Sequence, residues 1–232
     1  MTSNSSLSQH EHPYLGEGGP ARNAPPVPAT LAIQRLDARQ ADAAAATLSD
    51  AFFDDPLLQI VAPDEAARRR WGPWFMSLIV QYGLRWGDVS CLDGTSAVAV
   101  WVPPGSGEMS LGRMLRVGFA KMPFRLGVAS TSRFMRATSA TAPFHKTVVG
   151  PHWYLAAVGA LPTAQGRGMG SALVELGTSQ ADEAGVPCYL ETATQSNIDF
   201  YAKRGFEIVG QAQLFGHTLT GMVRQPRGTS AR

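Results

Sequence analysis

Cysteine is scarce: the chain has two in 232 residues, Cys91 and Cys188, far apart and without CxxC spacing. A disulfide framework and a four-thiolate zinc site are therefore excluded, and reduced thiols in a cytoplasmic protein are the expectation. Charge is also low. Charged residues make up 16% and the net charge is +2, too weak a field to draw nucleic acid or a membrane surface. No long hydrophobic run is present. The most apolar window, Trp71 to Trp86, is interrupted by Gly72, Pro73, Gln81, Gly83 and Arg85, and it falls short of the roughly 18 residues a membrane span needs. No charged-then-apolar leader opens the sequence, and no internal repeat is found.

The chain does contain apolar material, 44% of residues, which excludes disorder throughout. Residues 1–30 are the exception. They are polar and rich in Ser, Gly and Pro, and read as a flexible tail in which His10-Glu11-His12 is a chance pairing rather than a metal site. Residues 226–232 read as a second short tail, which leaves one domain over 31–225 with a helical middle segment, 106–150.

Periodicity orders that domain. A short strand is expected at Leu31-Ala32-Ile33, then a helix from Ala41 to Phe53 that stops before Pro56. A second helix spans Asp64 to Leu84 with Asp64 as N-cap, and Pro73 is expected to kink or split it. Val89 to Leu92 and Ala97 to Val102 form a hairpin around Asp93-Gly94. The stretch from Ser110 to Lys146 is helical but broken at Gly118, Pro123, Gly127 and Pro143; its seven basic residues read as a solvated face or as a surface for an anionic ligand. Phe119, Phe124 and Phe134 within it read as core.

A central strand follows from Trp153 to Leu161, with a glycine suggesting a distortion, then a helix from about Gly168 to Ala184. Next come a strand from Cys188 to Ala193, a helix from Asn197 to Arg204, and strands at Phe206 to Val209 and His217 to Val223. The order is that of a mixed α/β fold with helices packed on a sheet.

One loop stands out. Gln165-Gly166-Arg167-Gly168-Met169-Gly170 joins a strand to a helix N-terminus, where glycines let amide groups approach an anion such as a pyrophosphate. It is not a Walker A loop, because no Gly-Lys-Ser/Thr follows, and its GxGxG spacing misses the dinucleotide fingerprint. A plain glycine-rich turn is the alternative on the loop alone.

The surroundings decide. Gln-x-x-Gly-x-Gly after an apolar strand, followed by Asn197 and by Phe200-Tyr201 through Gly205-Phe206, resembles the GNAT superfamily of acyl-CoA-dependent N-acetyltransferases, most strongly over Trp153 to Gly210. The strings AVAVW, AGVP, LET and FYxxxGF resemble the puromycin N-acetyltransferase branch. The resemblance implies a GNAT-like mixed, mostly antiparallel sheet, splayed between its fourth and fifth strands, with helices on both faces. It implies acetyl-CoA as co-substrate, no metal, and direct attack by a primary amine, on a small molecule or alternatively on a protein or peptide; a non-catalytic acyl-CoA-binding module is the reading outside enzymes. Partners are then a small-molecule amine, with no nucleic acid or membrane, in a monomer or homodimer.

By the same resemblance, Val158, Gly159 and Ala160 bind pantetheine through main-chain groups, and Val158 supplies an amide for the developing oxyanion. Gln165, Gly166, Arg167, Gly168, Met169, Gly170 and Ser171 cradle the pyrophosphate. Asn197 bonds pantetheine or caps its helix. Tyr201 faces the coenzyme sulfur as proton donor, and Glu191 is the candidate base through water, unless Arg204 or Lys203 pairs with it. The acceptor side is expected around Phe52 to Pro56, Trp71, Trp74 and the middle segment. Asp54 and Asp55 there either attract a cation or shape the turn.

Overall fold

The computed structural model describes residues 32–105 and 110–228. The tail expected over residues 1–30, with His10 and His12, lies outside them, as do Leu31 and residues 229–232. Seven strands form one sheet: β1 (Gln34–Arg35), β2 (Asp88–Leu92), β3 (Ala97–Val102), β4 (Trp153–Ala160), β5 (Cys188–Thr192), β6 (Glu207–Leu214) and β7 (His217–Arg224). Their order is β1-β2-β3-β4-β5-β7-β6. Every pair is antiparallel except β4 and β5. That pair is joined through a helix, as a parallel connection requires.

Among the described residues eight helices accompany the sheet: α1 (Ala41–Ala51), α2 (Pro56–Val61), α3 (Glu65–Trp86), α4 (Leu111–Val117), α5 (Met122–Arg125), α6 (Gly127–His145), α7 (Met169–Glu183) and α8 (Gln195–Ala202). The period-two pattern of β3 shows why they lie on both faces. Val98 and Val100 point to one core with Leu48, Phe75 and Val80 from α1 and α3. Ala97, Ala99 and Trp101 point to the other with Leu173, Val174 and Ala181 from α7. All six β3 residues are buried, so the strand reads as an unbroken apolar run. Mixed α/β architecture with two helical layers is therefore the observed fold.

Several local expectations change. The first strand is Gln34–Arg35, whose pairing with Cys91 and Ser90 fixes it later than the apolar triplet. Pro73 does not split α3, which is continuous from the Asp64 cap to Trp86; the flanking turns are buried against the core and hold the segment helical. Pro56, read as a stop, is also a start, occupying the first turn of α2 behind the Asp55 cap. Phe119 is buried and Phe134 packs on the same core, but Phe124 is 91% exposed, because the four-residue α5 has no inward face at that position. No described helix is long and apolar enough to cross a membrane. Cys91 and Cys188 are free and buried, and burial pushes the Cys188 thiol up to about 12.

Candidate active site

The sheet opens where β4 meets β5. Their parallel pairing covers only Trp153, Tyr154 and Leu155, opposite Cys188, Tyr189 and Leu190. At that point the β4 register against β3 slips by one residue, with Val100 opposite Ala157 and Trp101 opposite Leu155. Ala156 is thus the extra residue of a bulge, which bends its strand. The distortion sits at Ala156, not at Gly159. The glycine serves packing instead: a Cβ there would lie 2.6 Å from the Ala51 Cβ of α1.

Beyond Leu155, β4 has β3 on one side and a cleft of about 200 Å³ on the other. Val158, Gly159, Ala160, Gly170, Glu191, Asn197 and Tyr201 all line it, which brings seven sequence-predicted residues to one place. Thr192 lines it too, and its buried hydroxyl has no partner. A buried unpaired hydroxyl beside main chain that has lost its neighbouring strand is an arrangement that an extended, amide-bearing ligand completes.

The glycine loop lies at the head of α7. Gln165, Gly166, Arg167 and Gly168 are exposed, and Gly166 and Gly168 hold φ of 76° and 77°, which only glycine adopts freely. Gln165 Nε2 donates to the Ala160 carbonyl at 3.3 Å, tying the loop to the end of β4. Met169 differs from its neighbours: its side chain is buried in the core, so only its amide faces the loop. Ser171 Oγ accepts from Arg204, whose other terminal nitrogen donates to the Phe200 carbonyl. Arg204 therefore braces α8 against the first turn of α7 and brings a cation beside the loop. From sequence Arg204 was only a candidate partner of Glu191; its bond to Ser171 joins positions 33 apart, which nothing local signals.

Asn197 does not cap α8. Thr194 does, accepting from the Asn197 amide at 3.3 Å, and this leaves the Asn197 side chain on the cleft wall.

Tyr201 is 8% exposed. Burial raises its hydroxyl pKa, and the nearby Asp55 carboxylate raises it further, so the phenol stays protonated at neutral pH. Asp55 caps α2 by accepting from the Leu57 amide at 2.8 Å and also lines the cleft. Burial raises its pKa, while the Leu57 bond and His217 oppose the shift. Asp54 is exposed and contributes only its carbonyl, to Gln59.

Glu191 makes no ion pair with Arg204 or Lys203; the described ion pairs lie elsewhere. Its carboxylate is held by phenols. Tyr189 donates to Oε1 at 3.1 Å and Tyr154 to Oε2 at a long 3.5 Å. Burial raises its pKa, and the hydroxyls of Thr141, Tyr189 and Tyr154 oppose the rise. Burial also raises both tyrosines, with the Glu191 charge adding to it, so they remain donors.

Behind them, His145 stacks on Tyr189 at 4.3 Å and its Nε2 lies 2.7 Å from His152 Nε2. His152 Nδ1 lies 2.9 Å from the Gly150 carbonyl, which can only accept, so that ring nitrogen is the donor. None of these four residues was singled out from sequence. The usable signal was the strand register: residues 189 and 191 share a face by alternation, and Tyr154 stands opposite Tyr189. Trp71 and Trp74 stay off the cleft, under the Arg125 guanidinium.

Comparison with known proteins agrees with this geometry. Residues 126–206 match the model of the acetyltransferase (GNAT) family, a span that runs from α6 past α8 and includes β4, the glycine loop, α7 and β5. A Schizosaccharomyces pombe protein described as an uncharacterized N-acetyltransferase is 28% identical over 184 residues, covering 76% of this chain and 74% of the relative.

Among solved structures, one described as histone acetyltransferase HPA2 and related acetyltransferase, from Corynebacterium glutamicum, superposes with a TM-score of 0.63 at 20% identity, over 87% of this chain and 99% of the other. Arylalkylamine N-acetyltransferase 2 from Aedes aegypti gives 0.60 at 13% identity, over 85% and 100%. These two share the fold. The opening at Ala156 thus falls inside the stretch, residues 126–206, that is similar to the acetyltransferase (GNAT) family.

Proposed function

We propose that the protein moves an acetyl group from acetyl-CoA to a primary amine of a small molecule, by direct attack with both substrates bound, in the reducing cytoplasm that its free, buried thiols suit. The observation that carries this reading is that a proton donor, Tyr201, and a raised carboxylate, Glu191, share the cleft where β4 leaves β5.

The amides of the loop from Gln165 to Gly170, with the dipole of α7, suit the pyrophosphate of the coenzyme. Main chain from Val158 to Ala160, with Asn197 and Thr192, suits the pantetheine amides. The thioester carbonyl then lies against β4, where an amide near Val158 stabilises the negative charge that develops on oxygen. Glu191, fixed by Tyr189 and Tyr154, takes the proton of the incoming amine through water. Tyr201 returns a proton to the departing sulfur; burial holds the phenol above its ordinary value of about 10, so it stays protonated until the thiolate forms. Holding the two reactants in one cleft supplies part of the acceleration. The Aedes protein is named for arylalkylamines, in keeping with a small acceptor.

The test is coenzyme A release across small amines and peptides. Acetylation of small amines is expected, with peptides poorer; release only with peptides transfers the acceptor to a protein, and none at all removes the reading.

The pH profile gives a second measurement. A base works deprotonated, so kcat/KM rises with pH through the Glu191 pKa. Because burial raises that pKa, the acid limb is expected above the ordinary glutamate value of about 4.3. Glu191→Gln is expected to abolish the limb and lower kcat. A limb that persists in this variant belongs to another group.

A further inference from the structure

A second pocket of about 330 Å³ is lined by Gln59, Ile60, Pro63, Arg133, Phe215 and His217. Three distant segments meet there: α2 with the turn after it, α6, and the tip of the β6–β7 hairpin. Arg133 is half-buried. Among the described residues it makes no ion pair, and no hydrogen bond or ring contact engages it. A guanidinium that lines a pocket with its donors untaken by the protein is placed to meet an anion. His217 stands on the opposite wall, and Arg136 lies over the Phe215 ring at 4.8 Å.

Phe215 adds an independent sign. It sits at φ 52°, in the left-handed region that costs a non-glycine residue on the order of 1 kcal/mol and that Asn or Gly fills more easily in such a turn. A strained aromatic residue kept as a pocket wall points to use of that wall.

The two pockets are close. Asp55 lines the cleft and Gln59 the second pocket, and four residues of helix span about 6 Å. Asp55 and Glu191 line the cleft, while Arg133 and His217 line the second pocket, and His217 is close enough to Asp55 to act on its carboxyl.

We propose that this second pocket holds the anionic group, carboxylate or phosphate, of the acceptor, so that the substrate is a small zwitterionic amine whose nitrogen reaches Glu191 while its anion pairs with Arg133. This rests on the acetyl-transfer reading. The side chain of Phe215 covers the apolar part of the same molecule, and Gln59 supplies an amide at the rim.

The experiment compares ω-amino carboxylates and aminoalkyl phosphates of graded length with their uncharged counterparts, the carboxamides and the free amino alcohols. In coenzyme A release, one anionic series is expected to exceed its neutral series in kcat/KM by roughly tenfold or more, chiefly through KM, the size of a charge-assisted hydrogen bond. The series that wins tells carboxylate from phosphate. Arg133→Gln is expected to bring the ratio to within about twofold of unity, and Arg133→Lys to retain part of it. Equal rates for charged and neutral members, or a preference that survives Arg133→Gln, overturn the proposal.

Titration calorimetry with an ω-amino carboxylate and an aminoalkyl phosphate, in the absence of acetyl-CoA, reads the pocket by itself. Binding that Arg133→Gln abolishes supports the site even if no amine is acetylated, in which case the catalytic reading alone fails. No binding of either probe, or binding indifferent to Arg133, rules the pocket out.

Discussion

Tyr201→Phe is expected to lower turnover at least roughly tenfold, within the ~10²–10⁴ that a positioned proton-transfer group contributes, while the affinity for acetyl-CoA stays within about twofold. The substitution removes one oxygen and keeps the ring, which packs at 5.1 Å against Phe200 and 5.6 Å against Phe206. Among the described residues the hydroxyl has no hydrogen-bond partner that would be stranded. Burial and the Asp55 charge hold it protonated, so its available chemistry at neutral pH is donation, and the departing thiolate is the group that needs it. Single-turnover measurement isolates this step from product release. If turnover by the phenylalanine variant equals that of the parent chain, water supplies the proton and Tyr201 has no part in the chemistry.

The largest effect on stability is expected from Asp182→Ala. Arg224, the last residue of β7, has a side chain only 4% exposed, and Asp182 on α7 meets it with both oxygens, at 2.7 and 2.6 Å. The same carboxylate accepts the Arg227 amide at 2.7 Å. Removing it strands a buried guanidinium, which costs about 3–5 kcal/mol. In a domain of this size that is on the order of 6–20 °C in Tm.

Replacing both partners, Arg224→Met with Asp182→Leu, is expected to recover most of the loss, since no buried charge is left unpaired. The pair also has a pH signature. The Arg224 hydrogen bonds hold the Asp182 carboxyl below its usual value, so its contribution is complete above about pH 3.9 and is lost as the pH falls through the lower folded value. A melting temperature for Asp182→Ala within about 2 °C of the parent would show that water reaches Arg224.

Much of the frame was legible because it rests on local rules. Asp64 before an apolar period marked the start of α3, Asp93-Gly94 marked the hairpin, and the break between Leu161 and Gly168 separated β4 from α7. The position of the splay came from family resemblance, which also brought Val158, Gly159, Ala160, Gly170, Asn197, Glu191 and Tyr201 to the same cleft. What stayed hidden depends on contacts between distant segments.

Tyr154 and Tyr189 read as strand residues until register set both phenols on one carboxylate. Asp55 read as a residue that attracts a cation or shapes a turn until the cap of α2 came within reach of Tyr201. Arg133 was one of seven basic residues in a helical stretch, and nothing local marks which of them lines a pocket. Proline was read only in part: the helix before Pro56 does stop, but Pro56 also opens the next one, and at Pro73 tertiary packing overrides its preference.

The brevity of the β4–β5 seam has a thermodynamic corollary. Strands β1 to β4 on one side and β5 to β7 on the other share three residue pairs across that line, so whatever bridges the remaining gap acts as mortar between two leaves. A nucleotide thioester lying there would contribute to cohesion as well as to reactivity, by about 2.7 kcal/mol at a hundred times its dissociation constant. Heat resistance would then track the supply of acylated coenzyme, and starvation for it would loosen the architecture before it slowed the chemistry.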